Sequence, residues 1–284
     1  MRPALEGPAN AGLEFEGGRV GRLTLAFVIA SVTGLQQLPV VAQQPQTAAP
    51  PSQNRGLGGL FPETEPDDTA GFVPIFDGKT LDGWDGDTTF WRAENGSIVG
   101  ETTPEKVVKL NNFLIWRGGK VKDFELKVEF RLSGTNSGIQ YRSVEMPSIG
   151  RWVLKGYQAD IDFTQAFVGN VHDERGRSGT GDGHVVLSPR GQVTRIVEGP
   201  KYKLVGKIGD PTMLRGAMNV NGWNRYHIIA RGPIILQFIN SQLMSVAIDE
   251  DAAHAVPEGV LGFQMHTGPP FKIEYRNVMY KKLP

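Results

Sequence analysis

From Gly71 onward, apolar and polar positions alternate in short runs separated by Gly, Asn, Asp and Pro clusters. Between Asp123 and Leu132 the alternation is complete. Phe124, Leu126, Val128, Phe130 and Leu132 fall on one face, and Glu125, Lys127, Glu129 and Arg131 on the other. A period of two predicts a half-buried β-strand. The same pattern recurs over Ser137 to Ser143, with Ile139 and Tyr141 against Gln140 and Arg142, and over Gly156 to Asp162, with Tyr157, Ala159 and Ile161 against Gln158, Asp160 and Asp162. Further runs are Tyr226 to Arg231, Ile234 to Asn240, Gly259 to His266 and Phe271 to Tyr280. No window keeps a helical period, so the chain is expected to be all-β, with seven or more strands folded as a two-sheet jelly-roll sandwich. One stretch departs from the pattern. Phe167 to Gly216 is rich in Gly, Asp, Arg and Lys with short apolar runs, and reads as a functional loop or a set of excursions.

The first 70 residues read differently. Arg19 and Arg22 precede an apolar run from Leu23 to Leu35, followed by Val40-Val41-Ala42-Gln43. A basic flank, a short apolar core and a small-residue site describe a secretory signal over residues 1–42, with 1–18 as an over-extended start. The apolar core is too short to span a bilayer, which takes about 18 residues. Residues 43–70, rich in Pro, Gln, Gly and acids, read as a flexible linker to a β-sandwich domain over 71–284. The expectation is an exported protein, periplasmic or secreted, with no transmembrane segment after processing.

Composition narrows the partners. Lys+Arg and Asp+Glu are both 30, for a formal net charge of zero. A chain built to bind nucleic acid or an anionic membrane would carry a basic surface. With no cysteine, disulfides, thiolate metal sites and cysteine nucleophiles are excluded. No histidine spacing describes a zinc site and no cofactor is required. The oxygen ligands of a divalent cation such as calcium could come from scattered loops, so the sequence leaves metal binding open.

The strands share one further feature. Glu129, Arg142, Gln158, Asp160, Gln264 and His266 all stand on the non-core register of their strands. Were those strands neighbours, these side chains would form one polar patch suited to a hydroxyl-rich ligand, which needs many directed donors and acceptors. His266, Asp160, Glu129 and Arg142 are the candidate catalytic groups. His266 titrates near neutrality, the carboxylates can move protons, and Arg142 can stabilise an oxyanion. Gln158, Gln264 and Asn136 are candidates to position hydroxyls, Trp152 to contact the ligand, and Glu174 and Arg177 to close over it from a loop.

Several motifs in order carry a family resemblance. Phe72-Val73-Pro74-Ile75-Phe76-Asp77-Gly78-Lys79-Thr80-Leu81-Asp82-Gly83-Trp84 opens the match, followed by Trp91 with Glu94-Asn95-Gly96-Ser97-Ile98-Val99-Gly100. Asn136-Ser137-Gly138-Ile139 with Arg142, then Tyr157-Gln158-Ala159-Asp160-Ile161, Asp173-Glu174-Arg175-Gly176-Arg177, Gly222-Trp223-Asn224 and Gly262-Phe263-Gln264-Met265-His266-Thr267-Gly268 continue it. Together these resemble the 3-keto-disaccharide hydrolase family. The resemblance implies a concanavalin-A-like fold and cleavage of glycosides oxidised at carbon 3. Many members carry an acid directly after the tyrosine of the motif that holds Tyr157 here, and a glutamine two positions on. Here Gln158 and Asp160 reverse that order, so the acid's role does not transfer by position. A ketone at carbon 3 acidifies the carbon 2 proton. Proton abstraction, elimination of the carbon 1 substituent and hydration would then break the glycoside. A non-catalytic carbohydrate-binding module is the alternative, because the fold also serves lectins.

Overall fold

The computed structural model describes residues 69–177 and 183–284. The leader and most of the linker expected from the sequence lie outside the described residues.

Among the described residues, seventeen strands and one short helix follow in order. The first group is β1 (Val73–Pro74), β2 (Trp84–Asp85), β3 (Trp91–Glu94), β4 (Ser97–Glu101), β5 (Asn112–Val121), β6 (Phe124–Ser133), β7 (Asn136–Glu145) and β8 (Leu154–Asp162). Then come β9 (Val171–Glu174), β10 (His184–Ser188), β11 (Gln192–Glu198), β12 (Lys201–Lys207), the helix α1 (Pro211–Arg215), β13 (Asn224–Arg231), β14 (Ile234–Ile239), β15 (Gln242–Asp249), β16 (Gly259–Met265) and β17 (Lys272–Lys282). They form two sheets. A ten-stranded sheet runs β12-β11-β15-β14-β13-β6-β17-β4-β3, with β1 added against β17, and a seven-stranded sheet runs β10-β9-β8-β7-β16-β5-β2. The architecture is a jelly-roll sandwich of the concanavalin-A-like kind.

The period-two runs decide which side chains meet between the sheets. Phe124, Leu126, Val128, Phe130 and Leu132 of β6, Ile139 and Tyr141 of β7, Tyr157, Ala159 and Ile161 of β8, and Leu261, Phe263 and Met265 of β16 are all buried in one core. Removing so much apolar area from water contributes most of what holds the sandwich together. Buried phenols add directed links between the layers. The Tyr275 hydroxyl lies 2.9 Å from Ser137 Oγ, Gln237 Nε2 donates to the Tyr141 hydroxyl at 3.0 Å, and the Tyr226 hydroxyl donates to the Asp160 carbonyl at 3.0 Å. Each bond satisfies a polar group that would otherwise be costly in the core.

The stretch from Phe167 to Gly216, expected to be loop-like, holds β9 to β12 and the helix. Strands β9 and β10 extend the seven-stranded sheet beside β8, and β11 and β12 extend the other sheet. Strands β9 and β10, of four and five residues, are too short for a period to show, and β11 and β12, of seven residues each, are interrupted by Arg, Lys and Gly.

Candidate functional site

The outer face of the seven-stranded sheet carries a cleft of about 380 Å³. Strand β8 supplies Gln158 and Asp160, β9 supplies Glu174, and Gln264 lies near the end of β16 with His266 just beyond it. Asn136 lines the cleft at the start of β7, and Asp162, His184 and the loop residues Asn111, Thr135, Thr164 and Phe167 are also part of its lining.

Glu174 is 4% exposed and sits in a cradle of amides. Gln264 Nε2 donates to it at 2.7 Å, Gln140 Nε2 at 3.3 Å and Asn111 Nδ2 at 3.4 Å. Asn111 is held in turn by the Thr267 N–H, which donates to Asn111 Oδ1 at 2.8 Å. Burial pushes the Glu174 carboxyl up to about 7, against the opposing pull of the amides and Arg175.

Asp160, also 4% exposed, accepts one amide hydrogen bond, from Gln158 Nε2 at 2.8 Å. Burial pushes it up to about 7 as well, and the negative charges of Glu174 and Asp162 push the same way. Gln158 can lie across the neighbouring strand because position 138 is glycine. A Cβ there would stand 2.7 Å from Gln158 Cδ. Behind Asp160 lies His172, wholly buried, with Nδ1 3.2 Å from Asp160 Oδ2 but out of line for a hydrogen bond. Burial lowers His172 to about 3, so it is a neutral imidazole.

His266 is also kept toward neutrality by burial. Its Nδ1 meets the Thr267 carbonyl. A carbonyl only accepts, so Nδ1 carries the hydrogen and Nε2 is left as an acceptor.

Thus Gln158, Asp160, Glu174, Gln264, His266 and Asn136 meet in one place, whereas four other candidates lie elsewhere. Glu129 has the right register on the wrong sheet. It lies on β6 of the ten-stranded sheet and bonds Arg276 Nε at 2.7 Å. Arg142 fails for a different reason. A register shift between Tyr141 and Val144, with Arg142 at φ 46°, turns its side chain off the expected face. Its guanidinium donates to the Lys122 carbonyl at 2.6 Å, the Gly232 carbonyl at 2.8 Å and Asp123 Oδ1 at 3.1 Å. Arg177 is buried among Asp173, Asp249 and Asp251 at 3.0, 2.7 and 3.4 Å. It ties the β9 loop to the end of β15 instead of facing a ligand. Trp152 donates to Asp85 Oδ1 at 2.7 Å in a separate depression with Arg117 and Glu145.

The sequence pattern did not single out Asn111, Gln140, Phe167, His172 and His184. Val171-His172-Asp173-Glu174 has one apolar residue in four, so the strand that carries His172 shows no alternation in the sequence. Among the described residues no group of three or more His, Asp or Glu side chains is set to hold a metal ion. No helix among them is long and apolar enough to cross a membrane.

A jelly roll bearing a polar, hydrogen-bonding cleft on one sheet is an architecture shared by lectins and glycan-cleaving enzymes. Residues 71–281 match the family described as the 3-keto-alpha-glucoside-1,2-lyase-like domain, and the chain belongs to that family. A 3-keto-disaccharide hydrolase of Bacteroides thetaiotaomicron is 38% identical over 91 residues, which are 29% of this chain and 31% of that protein. The chain therefore matches under a third of that relative's length. Among solved structures, a provisionally assigned glycosyl hydrolase from Parabacteroides distasonis aligns with TM-score 0.48 and 17% identity, covering 75% of this chain and 99% of that one. The carbohydrate-binding module CBM66 of Bacillus subtilis aligns with TM-score 0.44 and 14% identity, covering 70% and 96%.

Proposed function

We propose that the cleft cleaves 3-keto-glycosides by elimination across carbons 1 and 2, with Glu174 as base and Asp160 as acid. The observation that carries this is the unequal dressing of two buried carboxylates. Glu174 accepts hydrogen bonds from three amides, which favour its ionised form. Asp160 accepts from one amide and feels the charges of Glu174 and Asp162, which favour its protonated form. Burial raises both to about 7, so it is the difference in partners that assigns the base and the acid of a pair placed for coupled acid–base work.

In this scheme Glu174 takes the proton from carbon 2, which the neighbouring ketone acidifies. The electron pair moves onto the carbon 3 oxygen as an enolate, whose collapse forms the carbon 1–carbon 2 double bond as the bond from carbon 1 to the glycosidic oxygen breaks. Asp160 gives its proton to that oxygen. Water then adds across the double bond, its oxygen to carbon 1 as Asp160 takes back a proton and carbon 2 receives the one held by Glu174, which completes a net hydrolysis. Asn136 offers an amide donor to the enolate oxygen, and His266 Nε2 accepts from a sugar hydroxyl. The family assignment supports the substrate class, and export to the periplasm or medium belongs to the same proposal.

The division of labour is tested by carbon 2 hydrogen exchange. A 3-keto-glucoside incubated in deuterated water with the Asp160→Asn variant is expected to exchange its carbon 2 hydrogen while releasing leaving group at least ~10²-fold more slowly. The Glu174→Gln variant is expected to lose both. Exchange that survives Glu174→Gln would contradict the assignment of the base.

A further inference from the structure

We infer that Phe167 is the platform on which the ring of the leaving group stacks, so that the cleft selects 3-keto-glycosides whose leaving group is itself a ring. This rests on the reading of the cleft as a 3-keto-glycoside site and adds to it the kind of substituent carried at carbon 1.

Among the described residues lining the cleft, Phe167 is the one apolar side chain, and it is 44% exposed. A single exposed apolar residue needs no explanation on an ordinary surface. This one is presented by a turn that several hydrogen bonds fix in place. The Asp162 carboxylate accepts hydrogen bonds from the N–H groups of Thr164 at 3.0 Å, Ala166 at 2.7 Å and Phe167 itself at 3.1 Å. The turn includes Gln165 at φ 60°, a left-handed conformation that costs free energy in a residue with a side chain. The Gln165 amide donates to the Met218 carbonyl at 3.2 Å, and Arg190 Nη1 donates to the Gln165 carbonyl at 3.2 Å. A rigid turn that holds an aromatic ring in water loses little further entropy when a ligand covers that ring.

The ring's surroundings fit the same role. Phe167 meets His172 and His184 edge to face, with centroids 6.0 and 6.1 Å away, and no parallel ring among the described residues covers it. Asp162, two residues along β8 from Asp160, builds its turn, and His172, which its ring meets, has Nδ1 3.2 Å from Asp160 Oδ2. Asp160 is the group assigned to protonate the departing oxygen. A ring attached to that oxygen therefore falls toward Phe167, whereas the sugar being opened sits toward Glu174 and Gln264. An apolar ring face or the C–H face of a second sugar complements an aromatic surface in a way that a methyl group cannot.

The test compares two pairs of glucosides on wild type, Phe167→Ala and Phe167→Tyr. Turnover is measured on the 3-keto forms of phenyl glucoside and methyl glucoside, and binding of the unoxidised, unreactive forms by calorimetry. Because the side chain is exposed, the alanine variant is expected to melt within a few degrees of wild type. It should lose on the order of ten-fold in affinity and in kcat/KM for the phenyl compounds and under two-fold for the methyl compounds. Phe167→Tyr should restore the phenyl values. Equal losses on both compounds, or no loss on either, with wild-type turnover intact, would overturn the role of Phe167 alone. Absence of wild-type turnover on both 3-keto substrates would overturn the underlying function and this assignment with it.

Discussion

The Tyr226 hydroxyl, carried on β13 of the ten-stranded sheet, crosses the sandwich and donates to the Asp160 carbonyl on β8 at 3.0 Å, while accepting the Gly169 N–H at 3.1 Å. One buried phenol thus fixes the backbone of the proposed acid and the end of the turn that carries Phe167. Replacing Tyr226 with Phe removes both of these hydrogen bonds, and the contact of the hydroxyl with Gln237 Oε1 at 3.4 Å, from the buried core. The expected cost is about 2 kcal/mol of stability, read as a lower midpoint in urea unfolding with an unchanged slope. Substrate affinity for ring-bearing leaving groups should weaken at the same time. An unchanged midpoint would contradict the structural role.

The two raised carboxyls make stability depend on pH in a definite direction. Asp160 and Glu174 have ordinary values of 3.8 and 4.5, and burial moves each to about 7 in the folded protein. Between those limits the folded chain holds protons that the unfolded chain has released. By linkage, their contribution to stability is fully present below about pH 4 and is lost as pH rises through about 7. Asp160→Asn and Glu174→Gln have no proton to lose. Each variant should therefore gain stability relative to wild type as pH goes from 4 to 8, measured by chemical unfolding across that range. A difference from wild type that does not change with pH would contradict the raised values.

Arg142 separates the structural reading from the one the sequence suggested. Its three hydrogen bonds go to the Lys122 and Gly232 carbonyls and to Asp123, not into the cleft. Arg142→Met should cost about 2 kcal/mol or more in stability, because two carbonyls lose a charged donor. The kcat of the protein that remains folded should stay within about two-fold of wild type. A loss of kcat on the ~10²-fold scale of a missing charge-stabilising group, with stability unchanged, would return Arg142 to the active site.

The same residues show how far the sequence carried. The alternation along β6, β7, β8 and β16 named the core, since side-chain period follows directly from strand geometry. It also placed Gln158, Asp160 and Gln264 on one face. Alternation says which side of its own strand a residue occupies, but not which of two sheets the strand joins. Glu129 therefore looked equivalent to Asp160 and lies in the other sheet, paired with Arg276. Arg142 was lost to a shift in register, which leaves no local mark in composition. From the sequence Glu174 reads as a loop residue, because four-residue strands such as β9 are too short for a period to show. That Gln140 and Asn111 both reach Glu174 is a fact of strand order and loop path, which only the fold supplies.

In the proposed mechanism the ketone is what makes the carbon 2 proton accessible to a carboxylate. The most direct measurement is leaving-group release from phenyl 3-keto-glucoside beside the unoxidised phenyl glucoside, with the same enzyme at pH 7. The mechanism predicts turnover of the 3-keto compound and none above background for the unoxidised one. It also predicts a loss of ~10²-fold or more for Glu174→Gln on the 3-keto compound. Equal turnover of the two substrates would contradict elimination at carbon 2. Binding of both without turnover of either would make this cleft a carbohydrate-binding site.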